Sequence, residues 1–211
     1  MTSRLARTAA ATAALALLTG GFALAAPTSA DDNLNITYDA TGSTFVAKPK
    51  STIKLGPTRL TSTIRPDGTF TGALPIPSAV SAFNVIGFIP AKATVSFLSA
   101  GPVTGALVSD PNTGSLRVQA VAKYTLKLTN VTLAGIPTFV GDKCLSTSVV
   151  SIPVATPAGK VFDIEAGGTV SGTYTIPSFV NCGLTTGIIN QLVPGPNNTV
   201  SFALSNGRIS S

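Results

Sequence analysis

Hydrophobic and polar residues alternate with a period of two along much of the chain. The longest such run covers residues 116–129, and shorter runs repeat it three times. Their apolar faces consist of Val118, Ala120, Ala122, Tyr124, Leu126 and Leu128; of Leu34, Ile36 and Tyr38; of Val170, Tyr174 and Ile176; and of Val200, Phe202 and Leu204. A period of two is typical of β-strands with one buried and one wet face, the usual pattern of antiparallel sheets.

Segments rich in turn-forming residues separate these runs. They lie at residues 56–57, 66–68, 111–114, 167–168 and 194–197. Frequent turns between short strands predict an all-β protein built as an antiparallel sandwich or barrel. Residues 183–193 differ, because Leu184, Ile188 and Leu192 are spaced four apart, which predicts a short helix there.

Three pairs of short sequences recur in the same order along the chain. They are KSTIKL (50–55) and KYTLKL (123–128), TFTGALPIPS (69–78) and TVSGTYTIPS (169–178), and TVSF at both 94–97 and 199–202. We interpret residues 33–101 and 115–205 as duplicated halves of one domain. The second half would carry an insert of roughly 25 residues near 142–167, together with both cysteines of the chain.

The N-terminal 30 residues have the three-part pattern of a secretory signal peptide. Arg4 and Arg7 precede an uncharged stretch from Ala9 to Ala26, and small residues suited to cleavage follow. An uncleaved anchor is the alternative interpretation, although the apolar core is short for a membrane span. We therefore expect residues 31–211 to be a single secreted domain that does not span the membrane, extracellular or loosely associated with the cell wall.

The chain has two cysteines, Cys144 and Cys182, both in the predicted exported part. In an exported protein a lone pair most simply forms one disulfide. It would close a loop of about 39 residues, for which the chain-entropy model gives a stabilisation of about 4 kcal/mol. Metal binding or redox use is the alternative, and the chain has neither histidine nor a Cys-x-x-Cys motif to favour it.

The composition argues against most catalytic and nucleic-acid functions. Beyond residue 30 the chain keeps twelve basic and eight acidic residues, a net charge of +4 that predicts no nucleic-acid binding. Without histidine, a Ser-His-Asp system and a His-based metal site are excluded. Asp163 and Glu165 are a candidate carboxylate pair, but Val161, Phe162 and Ile164 predict an ordinary half-buried strand with a solvated face. We expect no enzyme activity, no cofactor and no metal.

Two surface features are candidates for binding. The first is a basic stripe on the wet faces of predicted strands, formed by Lys50, Lys54, Arg117, Lys123 and Lys127. If the two halves are neighbours, this stripe would meet anionic cell-wall polymers or lipid headgroups. The alternative is that these side chains only protect strand edges and surfaces.

The second feature is a surplus of apolar residues between positions 80 and 98. The candidate lining of an apolar ligand cavity is Phe83, Val85, Ile86, Phe88, Val95 and Phe97. A barrel with spare apolar lining can hold a lipid. The alternatives are that these residues fill the core, or that they are exposed and mark a protein contact or self-association. Residues 135–140 form another uncharged loop.

The succession ITYDATGST, GTFTGALPIP, VIGFIPAKATVSF, GDKC and YTIPSFVNCGL, followed by LVPGPNNTVSFAL, covers most of residues 33–204. It resembles a family of uncharacterised secreted proteins from high-GC Gram-positive (actinobacterial) bacteria. The resemblance implies export and an all-β fold, and it brings no activity or site residues with it. We expect a non-catalytic extracellular or cell-envelope interaction module, whose partner is a cell-wall polymer, a lipid or another protein. The alternative is a carrier of a lipid or other apolar ligand in a barrel cavity.

Overall fold

The computed structural model describes residues 33–85 and 88–210, and most of their regular structure is antiparallel β-sheet. The strands are β1 (Leu34–Val46), β2 (Ser51–Ile64), β3 (Thr69–Ala73), β4 (Ala79–Val85), β5 (Ile89–Ser99), β6 (Val103–Ser109), β7 (Leu116–Leu133), β8 (Ile136–Pro137), β9 (Leu145–Ser146), β10 (Val150–Ala155), β11 (Gly167–Ile176), β12 (Phe179–Val180) and β13 (Gly195–Ser210). A 3-10 turn, Gly183–Thr185, leads into a short helix, α1 (Thr186–Leu192). The predicted signal peptide lies outside the described residues and stays a prediction.

The strands pair into a closed ring. Its order is β1, β2, β3, β6, β7, β10, β11, β13 and back to β1, and every neighbouring pair is antiparallel. Strands β3 and β4 follow one another in one place of the ring. Strands β5 and β6 follow one another in the next place, where β5 pairs with β4 and both β5 and β6 pair with the same edge of β7. The chain therefore follows the ring in sequence order, as an up-and-down barrel. The β13–β1 and β7–β10 ladders close the ring and distinguish a barrel from the sandwich that the sequence also allowed.

Because successive strands alternate in direction, the connections divide between two ends of the barrel. We call one the loop end; among the described residues it consists of Phe88 and residues 47–50, 134–149 and 177–194. We call the other the turn end; it consists of residues 65–68, 110–115 and 156–166, with the outer ends of β1 and β13. Close to the loop end, β2 and β4 are joined by side chains: the Ser51 hydroxyl lies 3.0 Å from the Ser81 hydroxyl and donates to the Ala82 carbonyl.

The core lies inside the ring and consists of the apolar faces that the alternation predicts. All six apolar residues of the longest run, from Val118 to Leu128, are buried, as are the predicted faces of β11 and β13. Aromatic side chains fill the wide interior: Tyr38 contacts Phe162 edge-on with ring centroids 5.7 Å apart, and Phe97 contacts Tyr124 at 6.1 Å. The prediction of an all-β fold with half-buried strands is confirmed.

Two local predictions are wrong, and two predicted turns, residues 167–168 and most of 194–197, instead lie at the starts of β11 and β13. Residues 56–57 do not separate two strands but lie inside β2, opposite a shift of register in β1 between Ala40 and Gly42. The extra residue makes a bulge, which barrels use to bend long strands. Residues 161–165 do not form a half-buried strand, because the Asp163 carboxylate accepts the backbone N–H groups of Glu165 and Ala166 and folds the segment into a turn.

The structure does not show that the two halves are duplicates. The repeated segments of β3 and β11 lie four places apart in the ring, as do those of β5 and β13. The third pair of repeats, KSTIKL in β2 and KYTLKL in β7, does not fit this relation, since these two strands are three places apart. The predicted insert also contains β10, a ring strand paired with both β7 and β11. Duplication stays a hypothesis that only part of the ring supports.

Candidate functional site

The loop end is stapled by a disulfide. Cys144 and Cys182 are bonded, with an S–S distance of 1.97 Å, and both residues are fully buried. The bond joins residues 134–149 to residues 177–194, which also pair through β9 and β12. The predicted disulfide is thereby confirmed. It is compatible with an extracellular or other oxidising compartment.

Helix α1 is held in place by side-chain contacts. The Asn190 amide donates to the Phe179 carbonyl at 2.9 Å and accepts the Phe179 N–H at 2.7 Å. At the other end of the segment, the Thr186 hydroxyl accepts the Cys182 N–H at 3.1 Å. A helix of seven residues is too short to be stable alone, so these contacts are needed. The prediction of a helix is confirmed, but Ile189 is its buried residue, whereas Leu184 is fully exposed.

An apolar cavity of about 110 Å³ lies beneath α1, inside the loop end of the barrel. Side chains from β1, β2, β4, β5, β7, β11 and α1 line it. Four of the six predicted lining residues contribute: Phe83, Val85, Val95 and Phe97. Phe88 does not, since its side chain is largely in solvent, and Ile86 lies outside the described residues. The volume is well below the roughly 300–1,000 Å³ of typical ligand pockets.

A second apolar cavity, of about 60 Å³, lies deeper in the barrel. Thr44, Phe97 and Tyr174 line both cavities and separate them. The Thr44 and Tyr174 hydroxyls lie 2.7 Å apart in this layer, and burial raises the pKa of Tyr174. Burial also raises the pKa of Tyr124, which lines the deeper cavity, to about 12. Both phenols therefore stay neutral at physiological pH. Because the layer of Thr44, Phe97 and Tyr174 separates them, the two cavities do not form one channel.

Large apolar side chains stand exposed around the loop end. We call Phe88, Ile136, Phe139 and Leu184 the apolar rim; Phe139 is 91% exposed, Phe88 74% and Ile136 69%. Three backbone contacts relate the segments that carry them. Ala134 N–H donates to the Pro90 carbonyl at 2.8 Å, Ile136 pairs with Leu133, and a Cβ on Gly183 would lie 2.7 Å from the Phe139 carbonyl oxygen. The rim residues therefore lie on neighbouring segments of the loop end.

The predicted basic stripe does not form a single surface. Lys54 on β2 and Lys127 on β7 are separated by the strands between them in the ring. Lys123 pairs in register with Ser151 of β10, further from the loop end than Lys127. Arg117 lies at the turn end, where it donates to the Asp110 carboxylate at 3.3 Å and to the Thr156 carbonyl at 3.0 Å. Only Lys50 belongs to the loop end itself.

Four lysines lie at the loop end, and sequence periodicity identifies only Lys50 among them. We call Lys48, Lys50, Lys92 and Lys143 the loop-end lysines; all four are exposed. Lys48 and Lys50 lie in the β1–β2 turn, Lys92 near the start of β5 and Lys143 beside the disulfide. Three of them lie in or beside connections, where no strand pattern applies. Their grouping follows only from the ring that brings these connections to one end.

The ion pairs of the described residues lie away from the loop end and all involve arginine. Arg208 contacts Asp39 at 2.7 Å, Arg59 contacts the same carboxylate at 3.6 Å, and Arg117 pairs with Asp110. Hydrogen bonds from Arg208 and Asn206 hold the pKa of Asp39 at about 2. Within residues 33–85 and 88–210, Asp142 is the only acidic side chain of the loop-end connections. The loop end is therefore positive, whereas the acidic side chains lie mainly toward the turn end.

Other candidate chemistry is sparse in the described part of the chain. Asp163 and Glu165 lie in a turn-end connection, and neither lines a cavity. The Asp163 carboxylate accepts hydrogen bonds from two backbone N–H groups. Among residues 33–85 and 88–210, no group of three or more Cys, Asp or Glu side chains is placed to hold a metal ion. No helix in this same part of the chain has the length and apolar character needed to cross a bilayer.

The chain matches no protein-family model, no curated protein and no solved structure. The resemblance to secreted actinobacterial proteins therefore stays a prediction, and the function has to be argued from the loop end itself.

Proposed function

We propose that this protein is a non-catalytic extracellular protein that binds the cell envelope through its loop end. One observation carries the proposal: the apolar rim and the loop-end lysines lie at the same end of the barrel. Exposed apolar side chains that lie near one another mark contact sites, whereas single scattered ones are ordinary on a protein surface. The lysines around them would attract an anionic partner over a distance of about 10 Å at ordinary salt.

The structure of the connections supports a preformed contact site. The disulfide and the β9–β12 pairing fix residues 177–194 against residues 134–149. The two hydrogen bonds between Asn190 and Phe179 hold α1 in place within residues 177–194. Binding therefore requires little ordering of the rim, which reduces the entropic cost of association. The barrel supports the loop-end segments and presents them at one end.

The non-catalytic part of the proposal draws on the chemistry near the cavities. Among the described residues, the lining of the larger cavity has hydroxyl groups from Thr, Ser and Tyr side chains and includes no Asp, Glu, Lys or Arg. General acid–base catalysis needs a titratable group with a pKa near the working pH. A lining of neutral hydroxyls and hydrocarbon suits retention of an apolar group better than proton transfer.

Sedimentation with isolated envelopes of a high-GC Gram-positive bacterium tests the proposal. We expect the secreted protein to pellet with the envelopes, and Phe139→Ser and Lys143→Gln each to reduce the bound fraction. Val161→Ser and Lys160→Gln are matched controls at the turn end, where Val161 is 59% exposed, and they should bind as the parent does. The proposal would be contradicted if the loop-end variants and the turn-end controls lost envelope binding equally, or if no loop-end variant changed the bound fraction.

The cavity beneath α1 favours a second candidate, a carrier of a small apolar ligand. Its volume of about 110 Å³ is smaller than the 150 Å³ of an engineered apolar cavity that binds benzene. The ligand would therefore be a short chain end or a single ring unless α1 moves. Native mass spectrometry of the secreted protein, followed by organic extraction, tests this function: an extractable bound mass supports it, and a clean unliganded mass refutes it.

A further inference from the structure

We propose that the partner of the loop end is the surface of an anionic lipid bilayer. The apolar rim would enter the boundary between headgroups and acyl chains, and the loop-end lysines would lie at the headgroup phosphates. This inference rests on the proposed function and specifies its partner.

The first support is the geometry of the rim. Phe139 and Leu184 are almost wholly or wholly exposed, and each lies in a connection of the loop end. Residues 134–141 contain no charged side chain, and the segment between Asn181 and Val193 contains none either. Side chains that already stand in water, on uncharged segments, can enter a bilayer interface without burying a charge.

The second support is the charge around the rim. The loop end carries four lysines and, among the described residues, one acidic side chain, Asp142. The three arginine–aspartate pairs all lie elsewhere. Each lysine near an anionic membrane surface strengthens binding by about fivefold. The lysines are long and flexible enough to keep their ammonium groups among the headgroups while the rim enters deeper.

Two other partners fit this combination less well. Protein interfaces are depleted of lysine at their cores, whereas lysine supplies nearly all the charge of the loop end. An anionic polymer in water would satisfy the lysines and leave Phe139 and Leu184 exposed. An anionic bilayer satisfies both features, because it places phosphate and hydrocarbon within a few ångströms of each other along one axis.

The barrel also determines an orientation. Asp39, Asp67, Asp110, Asp163 and Glu165 lie in the part of the barrel toward the turn end, and Arg59, Arg65, Arg117, Lys160 and Arg208 match them in number. That end has no net attraction for an anionic surface. The protein would therefore stand with the loop end on the bilayer and the turn end in water.

Fluorescence of a single introduced tryptophan tests the proposal, because the chain contains no tryptophan of its own. Phe139→Trp places the reporter on the rim, and Leu184→Trp is a second rim reporter should the first fail to fold. Val161→Trp is the matched control at the turn end. Each secreted variant is titrated with vesicles of pure phosphatidylcholine, and with vesicles of phosphatidylcholine containing 30% phosphatidylglycerol.

We expect the rim reporters to shift to shorter wavelength with the phosphatidylglycerol vesicles only, and the turn-end reporter to keep its emission. Lys143→Gln in the Phe139→Trp background should weaken binding about fivefold at low salt, whereas Lys160→Gln should leave it unchanged. No shift at either rim position, or an equal shift at Val161→Trp, overturns the proposal.

The same experiment separates this inference from the proposed function. Binding to envelopes that survives lipid extraction, together with no response to vesicles, overturns the lipid inference and leaves envelope binding in place. It would then point to an anionic polymer or a protein as the partner. If the protein bound neither intact envelopes nor lipid-extracted ones, both the lipid inference and the proposed function would be overturned.

Discussion

The hydroxyl groups of Thr44 and Tyr174 lie 2.7 Å apart in the layer that separates the two cavities of the barrel. Thr44 also donates its proton to the Thr199 carbonyl at 2.8 Å. A threonine hydroxyl has one proton, so Tyr174 must be the donor in the contact between them. Strands β1, β11 and β13 are thus joined inside the barrel by a chain of two hydrogen bonds as well as by their ladders.

The direction of this chain predicts an unequal response to mutation. Tyr174→Phe removes one donor and leaves Thr44 bonded to Thr199, so we expect a loss of about 1 kcal/mol in the free energy of unfolding. Thr44→Val leaves the buried Tyr174 hydroxyl without its acceptor, which costs about 1–3 kcal/mol. Urea unfolding of both variants measures the difference. A larger loss for Tyr174→Phe would show that the donor assignment is wrong.

Loss of the disulfide should loosen the loop end more than the ring. The double variant Cys144→Ser/Cys182→Ser is expected to lower the free energy of unfolding by up to about 4 kcal/mol, from the length of the closed loop. Hydrogen exchange should accelerate in residues 177–194, whose contacts with residues 134–149 depend on the bond. Exchange in β1 and β2 should change only with global stability. Uniform acceleration across all strands would mean that the bond supports the whole barrel.

The Asp39 carboxylate predicts a loss of stability in acid. Hydrogen bonds from Arg208 and Asn206 lower its pKa to about 2, below the ordinary value of about 3.9. The folded state therefore binds the proton more weakly than the unfolded state. Its contribution is complete above pH 4 and disappears as the pH falls toward 2.

Asp39→Asn should flatten the dependence of unfolding free energy on pH between about 4 and 2, and Arg208→Gln should act in the same direction. Thermal unfolding at a series of pH values gives the measurement. Some pH dependence should remain in both variants, because the pKa values of Asp67 and Asp110 are also lowered. If the slope of unfolding free energy against pH were unchanged in both variants, Asp39 would not contribute to the acid sensitivity.

Gly172 marks a place where β11 and β10 approach too closely for a side chain. A Cβ at this position would overlap the Pro153 carbonyl oxygen, which is backbone and has little freedom to move. We expect Gly172→Ala to destabilise the protein by about 1–3 kcal/mol. Gly187→Ala is the matched comparison, because a Cβ there meets nothing within 4 Å and alanine favours helix. Stability of the two variants should change in opposite directions in urea unfolding.

Much of the fold could be predicted from local pattern. The period-two alternation in residues 116–129 predicts the buried face of β7 residue by residue, because every strand of a barrel has one side toward the core. Errors arose where local signals compete with pairing. A Gly-Pro dipeptide reads as a turn, yet in β2 it forms a bulge, because the paired strands on both sides carry the chain through it.

The candidate site was predictable only in parts. Phe83 and Phe97 were expected near an apolar cavity, and both line the one beneath α1. The basic stripe was sought along strand faces, although Lys54 and Lys127 lie on strands that do not touch. The lysines that share an end, such as Lys48 and Lys143, are about a hundred residues apart in sequence and lie in connections without periodicity.

Local alternation predicts the strand character and the one-sided burial, and the pairing of the two cysteines is predictable because each has a single partner in the chain. Only the folded chain shows that the strands close into a ring, that α1 covers a cavity, and that the apolar rim and the loop-end lysines lie at one end. These features depend on which connections share an end of the barrel. That follows from strand order and direction, which are fixed by long-range hydrogen bonding and not by the residues of any single segment.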